Sequence, residues 1–312
     1  MLTITVAHDD QLEGLVATPL PPGVRVERWD LREPLPSQVD PGDVDVVVVP
    51  HYLTRPESLR LLHDLPNLRV VQLPSAGYEH AVEHLPPGVA LCNGRGVHDA
   101  GTAELAVALV LASQRGIDQA VRDRSEHRWA PTFRSSLADR RVLVLGHGSI
   151  GRAIIHRLEA FEVEVVAVAG TAREDGGRHV HAVGELPALL PTADVVVVIV
   201  PLTAATHHLV DAAFLAAMPD GALLVNVARG KVVDTDALLA ELTAGRLRAA
   251  LDVTDPEPLP ADHPLWDAPN LVLTPHVGGY TDATGPRFLA LLRRQVAALH
   301  AGAEPLNVVV RT

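Results

Sequence analysis

Short, nearly continuous apolar runs recur along this chain, separated by polar breaks rich in Pro, Gly and Asp. Before residue 96, Leu2–Ala7, Val24–Trp29, Val44–Val49, Leu68–Leu73 and Val89–Cys92 have the length and β-branching of strands. Pro56–Asp64 reads as an amphipathic piece lying between two of them. After residue 140 the pattern resumes with Val142–Leu145, Val163–Val168, Asp194–Val200, Gly221–Val227, Leu247–Val253 and Leu271–Leu273. The run at Asp194–Val200, read as the third strand of its unit, is apolar throughout, as a central strand buried on both faces must be. Helical periods lie between the runs. Thr235–Ala244 is capped by Asp234 and stopped by Gly245. Ala283–Ala301 carries a stripe of Phe288, Leu291, Leu292, Val296 and Leu299. Gly101–Leu111 is apolar nearly all round, so most of its surface must be covered, between domains or between subunits. Asp118–Arg128 is charge-rich and fits a solvated helix or linker. Strand and helix alternating in this way predict an α/β protein with parallel sheets.

One junction stands out. The run Val142–Leu145 stops at Gly146-His147-Gly148-Ser149-Ile150-Gly151, and a helical pattern of Ile150, Ile154, Leu158 and Phe161 follows at once. Strand, G-x-G-x-x-G and helix in that order describe a dinucleotide turn. Gly146 allows the tight turn, Gly148 lets a pyrophosphate approach the backbone, and Gly151 lets helix and strand pack closely. The helix N-terminus, at Ser149 and Ile150, offers free N–H groups to phosphate. The second half therefore reads as a doubly wound dinucleotide fold, with its loops opening at the carboxyl ends of the strands.

Composition narrows the class. The 312 residues suffice for two domains, and 47% hydrophobic with 21% charged residues is ordinary for a globular protein. A net charge of −12 argues against a nucleic-acid partner. The lone Cys92 leaves no internal disulfide. No signal-peptide pattern and no membrane-length apolar run occurs, so a cytoplasmic protein is expected. Sixteen histidines invite a metal reading, but no H-E-x-x-H or comparable spacing was found, and no metal is expected.

Three strand ends carry polar residues on the side where such folds bind ligands. Arg229 follows a buried strand in Asn226-Val227-Ala228-Arg229-Gly230, and a guanidinium fork suits a carboxylate. Asp252 opens Asp252-Val253-Thr254-Asp255-Pro256-Glu257-Pro258, and His276 sits in Thr274-Pro275-His276-Val277-Gly278-Gly279. Singly, each fits a structural role; together they form a plausible catalytic set. Earlier, Leu73-Pro74-Ser75-Ala76-Gly77-Tyr78 begins at a strand end, where backbone N–H groups could meet an anion, though a plain turn fits equally. Tyr78, His51, Tyr52 and Tyr280 are candidates to line a side-chain pocket, or else packing and surface residues.

These segments, with Thr102-Ala103-Glu104 and Val200-Pro201-Leu202-Thr203, occur in an order that resembles the D-isomer-specific 2-hydroxyacid dehydrogenases across nearly the whole chain. The resemblance implies two Rossmann-like/flavodoxin-like doubly wound parallel-sheet domains with an interdomain cleft. Residues 1–96 and 283–312 would form the substrate domain and 97–282 the dinucleotide domain. It implies hydride transfer between a nicotinamide and a small 2-oxo acid or D-2-hydroxy acid, as in glyoxylate and hydroxypyruvate reductases. His276 would be the general acid/base, Glu257 its partner, and Arg229 the carboxylate anchor, with Ser75, Ala76 and Gly77 also at the substrate. Val200, Pro201, Val227, Ala228, Asp252, His276 and Gly278 would lie along the cofactor, with Gly170, Thr171 and Arg173 near its ribose. A homodimer through the dinucleotide domain is implied, and the apolar helix at Thr102–Ala112 would suit that contact. A phosphite-oxidising relative, or a dinucleotide-sensing corepressor built on the same scaffold, would keep the same trio.

The choice of nicotinamide turns on one position. NAD-binding folds place an acid about 20 residues beyond the glycine turn. Here Ala169 and Gly170 occupy that place, and Thr171-Ala172-Arg173 follows. Arg173 with Thr171 suits a 2′-phosphate, which favours NADP; a solvated Arg173 with bound NAD is the other reading.

Overall fold

The computed structural model describes residues 1–51 and 56–312; Tyr52, a pocket candidate, lies outside them. The chain divides into two compact units, Met1–His98 with Asp282–Thr312, and Asp99–Thr281.

In the first unit, β1 (Leu2–Val6), β2 (Val24–Arg28), β3 (Val44–Val48), β4 (Val70–Gln72) and β5 (Ala90–Cys92) pair parallel in the order β5-β4-β3-β1-β2. This is the flavodoxin-like order. Successive side chains of a strand point to opposite faces, and the valine runs use both. Val47 and Val49 enter one core cluster while Val46 and Val48 enter the other.

The second unit holds β6 (Arg141–Leu145), β7 (Glu164–Ala169), β8 (Arg173–Asp175), β9 (Arg178–Ala182), β10 (Val195–Val198), β11 (Leu223–Asn226), β12 (Arg248–Leu251) and β13 (Leu271–Leu273). Their order is β13-β12-β11-β10-β6-β7-β9-β8, parallel except for β8 against β9. Without β8 and the edge strand β13, this is the dinucleotide-fold order 3-2-1-4-5-6, reversing direction between β6 and β10. Leu143, Leu145, Val196 and Val198 face one core cluster; Val142, Val144, Val195 and Val197 face the other. Each such buried side chain contributes roughly 1.5–3 kcal/mol.

One expectation is corrected here. The run at Asp194–Val200 is not the third strand of this unit. The hairpin β8–β9 precedes it, and β9 takes the third place beside β7. Gly176 and Gly177, at φ +58° and +81°, turn the hairpin, a conformation that glycine adopts without a Cβ penalty.

The helix Asp99–Arg115 finds its cover inside the second unit. Ala103, Ala106, Val107, Leu109 and Val110 join the core cluster with Ile154, Ile155 and Leu158 of the helix Ser149–Leu158. Exposed apolar side chains lie just beyond it instead: Ile117 and Val121 on the helix Ile117–Ser125, then Trp129 and Phe133, both almost fully exposed.

The chain then returns to the first unit. The helix Thr284–His300 lays Phe288, Leu291, Leu292 and Val296 on the cluster that holds Val46 and Val48. A last strand, β14 (Val308–Arg311), pairs antiparallel with β5. No helix among the described residues is long and apolar enough to cross a membrane.

Candidate active site

The glycine turn at the end of β6 is built by close approach. Gly146 has φ +120°, and a Cβ there would lie 2.4 Å from the Ile199 carbonyl oxygen. A Cβ on Gly151 would lie 2.0 Å from the Gly146 oxygen. Neither position admits a side chain. Gly148 differs: it caps the helix Ser149–Leu158, and a Cβ there would meet nothing within 4 Å. The turn is thus tight on its protein side and open where Gly148, Ser149 and Ile150 begin the helix, as a pyrophosphate requires.

His147, inside the motif, is buried at 7% exposure. Arg173, the first residue of β8, reaches over it and donates to the His147 carbonyl oxygen and Nδ1, each at 3.3 Å. Burial, backed by the charges of Arg173, Arg152 and Arg178, holds the His147 imidazole below its ordinary value against the opposing pull of Asp175. A neutral imidazole can accept the Arg173 hydrogen bond. Asp175 lies 3.3 Å from His147 and 3.5 Å from Arg152. Gly170 and Thr171 are exposed between β7 and β8.

Across the sheet, β11, β12 and β13 end in three polar loops. Asn226, 1% exposed, shapes the first: its Oδ1 accepts from Ala228 N at 3.0 Å and its Nδ2 donates to the Arg229 oxygen at 2.9 Å. The Arg229 guanidinium donates to the Ala228 oxygen at 2.7 Å. Gly230 is where this loop meets the next, since a Cβ there would lie 1.8 Å from the Thr254 oxygen. Val227 and Ala228 are buried in the core, so their backbone alone faces the loop side.

Asp252, 2% exposed, organises the third loop. Its Oδ1 accepts from Thr274 Oγ1 at 2.6 Å and Val277 N at 2.9 Å, and its Oδ2 from Gly278 N at 2.9 Å. Its own backbone oxygen accepts from His276 N at 2.7 Å. His276 is thereby held at φ +54°, a left-handed conformation that costs a non-glycine residue about 1–3 kcal/mol unless its surroundings enforce it. The imidazole Nδ1 lies 2.5 Å from Glu257 Oε1, with both side chains partly exposed at 46% and 39%. Burial pushes the Glu257 carboxyl up. The His276 hydrogen bond and charge, the Thr254 N–H and the Arg229 charge outweigh it and hold the group below its ordinary value.

In the first unit, the loop after β4 has the carbonyls of Ser75, Ala76 and Gly77 engaged. Gly94 N donates to the Ser75 oxygen at 2.6 Å, Asn93 Nδ2 to Ala76 at 2.7 Å, and Ser75 Oγ to Gly77 at 2.7 Å. The Ala76 and Gly77 N–H groups donate to none of the described residues. Such a loop presents donors outward, which suits an anion.

A sequence profile described as D-isomer specific 2-hydroxyacid dehydrogenase, NAD binding domain, matches residues 107–278. The chain belongs to that family. It is 32% identical to the human glyoxylate reductase/hydroxypyruvate reductase over 91% of this chain and 90% of that one. Among solved structures, it is similar to a D-isomer specific 2-hydroxyacid dehydrogenase from Xanthobacter autotrophicus Py2 in complex with NADPH and MES. That similarity has a TM-score of 0.84 at 29% identity, covering 99% of this chain and 98% of the other. It is also similar to an NADPH-dependent glyoxylate/hydroxypyruvate reductase from Sinorhizobium meliloti in complex with NADP and malonate, with a TM-score of 0.76 at 30% identity. The match covers 99% of this chain and 97% of that one.

Within this 2-hydroxyacid dehydrogenase, the second unit brings Arg229, Glu257 and His276 to neighbouring strand ends. It sets Gly146–Gly151 beside Arg173 and the Ile199-Val200-Pro201 exit of β10. Asp252 sits with His276 and Gly278, but both of its oxygens are taken up by the loop it holds. Two residues that sequence reasoning passed over matter here: Asn226, which forms the Arg229 loop, and His147, which seats Arg173. Their only sequence signal was a polar residue next to a buried run. Of the pocket candidates, Tyr78 packs on the first unit's core and Tyr280 is 57% exposed. His51 stacks edge-on to Phe288 and His98, and burial together with the charges of His98 and His8 pushes its imidazole down to about 4.

Proposed function

We propose that this dehydrogenase reduces small 2-oxo acids of the glyoxylate and hydroxypyruvate type to D-2-hydroxy acids, with NADPH as its preferred cofactor. The observation that carries the reading is the 2.5 Å contact between His276 Nδ1 and Glu257 Oε1, one strand end away from Arg229. The open Gly148 edge and the Ser149–Ile150 helix start fit the cofactor's pyrophosphate, and Arg173 seated on His147 fits a 2′-phosphate.

When bound, the dinucleotide supplies the hydride. Arg229 holds the acid's carboxylate with its fork and lies near the carbonyl oxygen as negative charge builds there. His276 gives that oxygen its proton from Nε2, and takes it back in the oxidative direction. Glu257, kept anionic, orients the ring through Nδ1. The reading also gives Ser75-Ala76-Gly77 a share in holding the carboxylate, through the Ala76 and Gly77 N–H groups.

The reading places the enzyme in the cytoplasm as a homodimer. Two-fold pairing through Ile117, Val121, Trp129 and Phe133 is supported by the exposure of each of these large apolar side chains within one short stretch of chain. A double Trp129→Ser, Phe133→Ser variant is then a monomer by light scattering.

The deciding experiment follows nicotinamide absorbance with glyoxylate, hydroxypyruvate and pyruvate, each with NADPH and NADH. Oxidation of NADPH by at least one oxo acid is expected. No oxidation with any of them overturns the reductase in favour of a dinucleotide-sensing binding protein, and a clear NADH preference overturns the cofactor assignment. In Arg229→Lys, an unchanged KM for the acid refutes the carboxylate role.

A further inference from the structure

We propose that His179, His181 and Glu185, brought together on the outer hairpin of the dinucleotide unit, bind a divalent transition-metal ion of the zinc class. The site is remote from the proposed chemistry along the sheet, for β8 and β9 form one edge and β12 and β13 the other.

Strand geometry makes the first half of the site. Alternate residues of β9 share a face, so His179 and His181 point the same way while Val180 between them is fully buried. The two rings sit 4.5 Å apart between centroids, edge to face. A helical turn at Val183–Glu185 then carries the chain back over this face. Glu185 is fixed there at both oxygens: Oε1 accepts from Ala182 N at 2.8 Å, and Oε2 lies 2.8 Å from His181 Nδ1. One ligand atom from each of the three residues falls within 4.8 Å of the other two. Metal–nitrogen and metal–oxygen bonds of about 2.0–2.2 Å need those atoms a little closer. The side chains are 51%, 27% and 44% exposed, so the cluster is open to an ion from solvent.

The donor chemistry selects the ion. Two imidazoles and one carboxylate suit zinc, nickel or copper, whereas magnesium and calcium take oxygen ligands throughout. A carboxylate binds such an ion in its anionic form and an imidazole in its neutral form. Glu174 lies opposite His179 in the β8–β9 register, with Oε1 2.7 Å from His179 Nδ1. A carboxylate on the far nitrogen of a ligating histidine is the usual support for such a ligand, fixing the ring and raising its basicity. The spacing is H-x-H-x-x-x-E rather than a helical H-E-x-x-H, because the two histidines lie on a strand. The proposal departs from the expectation of no metal, which rested on the absence of H-E-x-x-H or a comparable spacing.

The test titrates the full-length, tag-free protein, stripped with chelator, with zinc chloride in a calorimeter. Cobalt(II) serves as an absorbing substitute. One equivalent of zinc binding with a Kd on the order of 1 µM is expected. His181→Ala and Glu185→Gln each weaken it at least tenfold, while His156→Ala, at another exposed histidine, leaves it unchanged. Circular dichroism confirms that the variants are folded. No stoichiometric zinc binding in the wild type overturns the proposal. So does equal binding by folded His181→Ala and Glu185→Gln, or magnesium binding as tightly as zinc.

Discussion

The two edges of the second unit's sheet handle polar residues in opposite ways. At the β11–β13 edge, the groups that fix the loops are buried. Asn226 and Asp252 are 1% and 2% exposed, their side-chain bonds end on backbone atoms and Thr274, and Gly230 leaves no room for a methyl group. At the opposite edge, Arg173, Glu174, His179 and Arg152 are exposed; Glu174 meets His179, and Arg152 meets Asp175, through side-chain tips. The first arrangement fixes Arg229 and His276 within a narrow geometry, as a proton transfer demands. The second leaves adaptable charge around a ligand, at little cost in stability when one member is lost.

The largest expected effect breaks the comparison at its rigid edge. His276→Ala lowers kcat for 2-oxo-acid reduction by about 10²–10⁴-fold, the range of a general acid, while fluorescence titration finds NADPH affinity within about twofold of wild type. Full activity in that variant removes His276 from the chemistry. Next comes the clamp. Asp252→Ala leaves the Val277 and Gly278 N–H groups without their acceptor and frees the strained His276 backbone. Each unsatisfied buried donor costs about 1–3 kcal/mol, so denaturant unfolding should show a loss of several kcal/mol, with kcat down about 100-fold. A variant with wild-type stability would show that the buried carboxylate is not what holds this loop.

A smaller effect concerns the pair itself. Glu257 is held below its ordinary value, so it stays anionic throughout the neutral range. Its charge faces Nδ1 of the ring that would supply the proton for reduction. Glu257→Gln removes that charge and kcat falls about 10–100-fold. A folded variant that keeps wild-type kcat would remove Glu257 from the chemistry.

How much of this was legible follows from where each signal came from. The inner strands announced themselves because burial on both faces leaves valine runs such as Val195–Val198. Gly146–Gly151, Arg229, Glu257 and His276 were legible because strand ends in such sheets are ligand positions. The hairpin β8–β9 was not, since its two strands have one buried residue, Val180, and no apolar run to read. Its Asp175-Gly176-Gly177 turn was the available clue. The β14–β5 pairing joins Val308 to Cys92, and no local pattern encodes a partner that distant. Nor could the sequence tell that Asp252 directs both oxygens to its own loop, because an acid at a strand end reads the same facing a cofactor.

The last prediction tests the adaptable edge. Arg173 donates to the His147 ring and carbonyl across the glycine turn, at 3.3 Å in each case, and its side chain reaches from the protein's surface. Nothing in the core rests on it, so Arg173→Ala should unfold within about 0.5 kcal/mol of wild type. A bidentate arginine on a phosphate is a strong charge-assisted contact, and its loss should lower kcat/KM for NADPH about tenfold. The value for NADH, which has no 2′-phosphate, should stay constant or rise as a positive charge leaves the ribose site. Equal losses with both cofactors would mean that Arg173 supports the turn rather than reads the phosphate. In that case the two edges of the sheet would differ in exposure but not in kind.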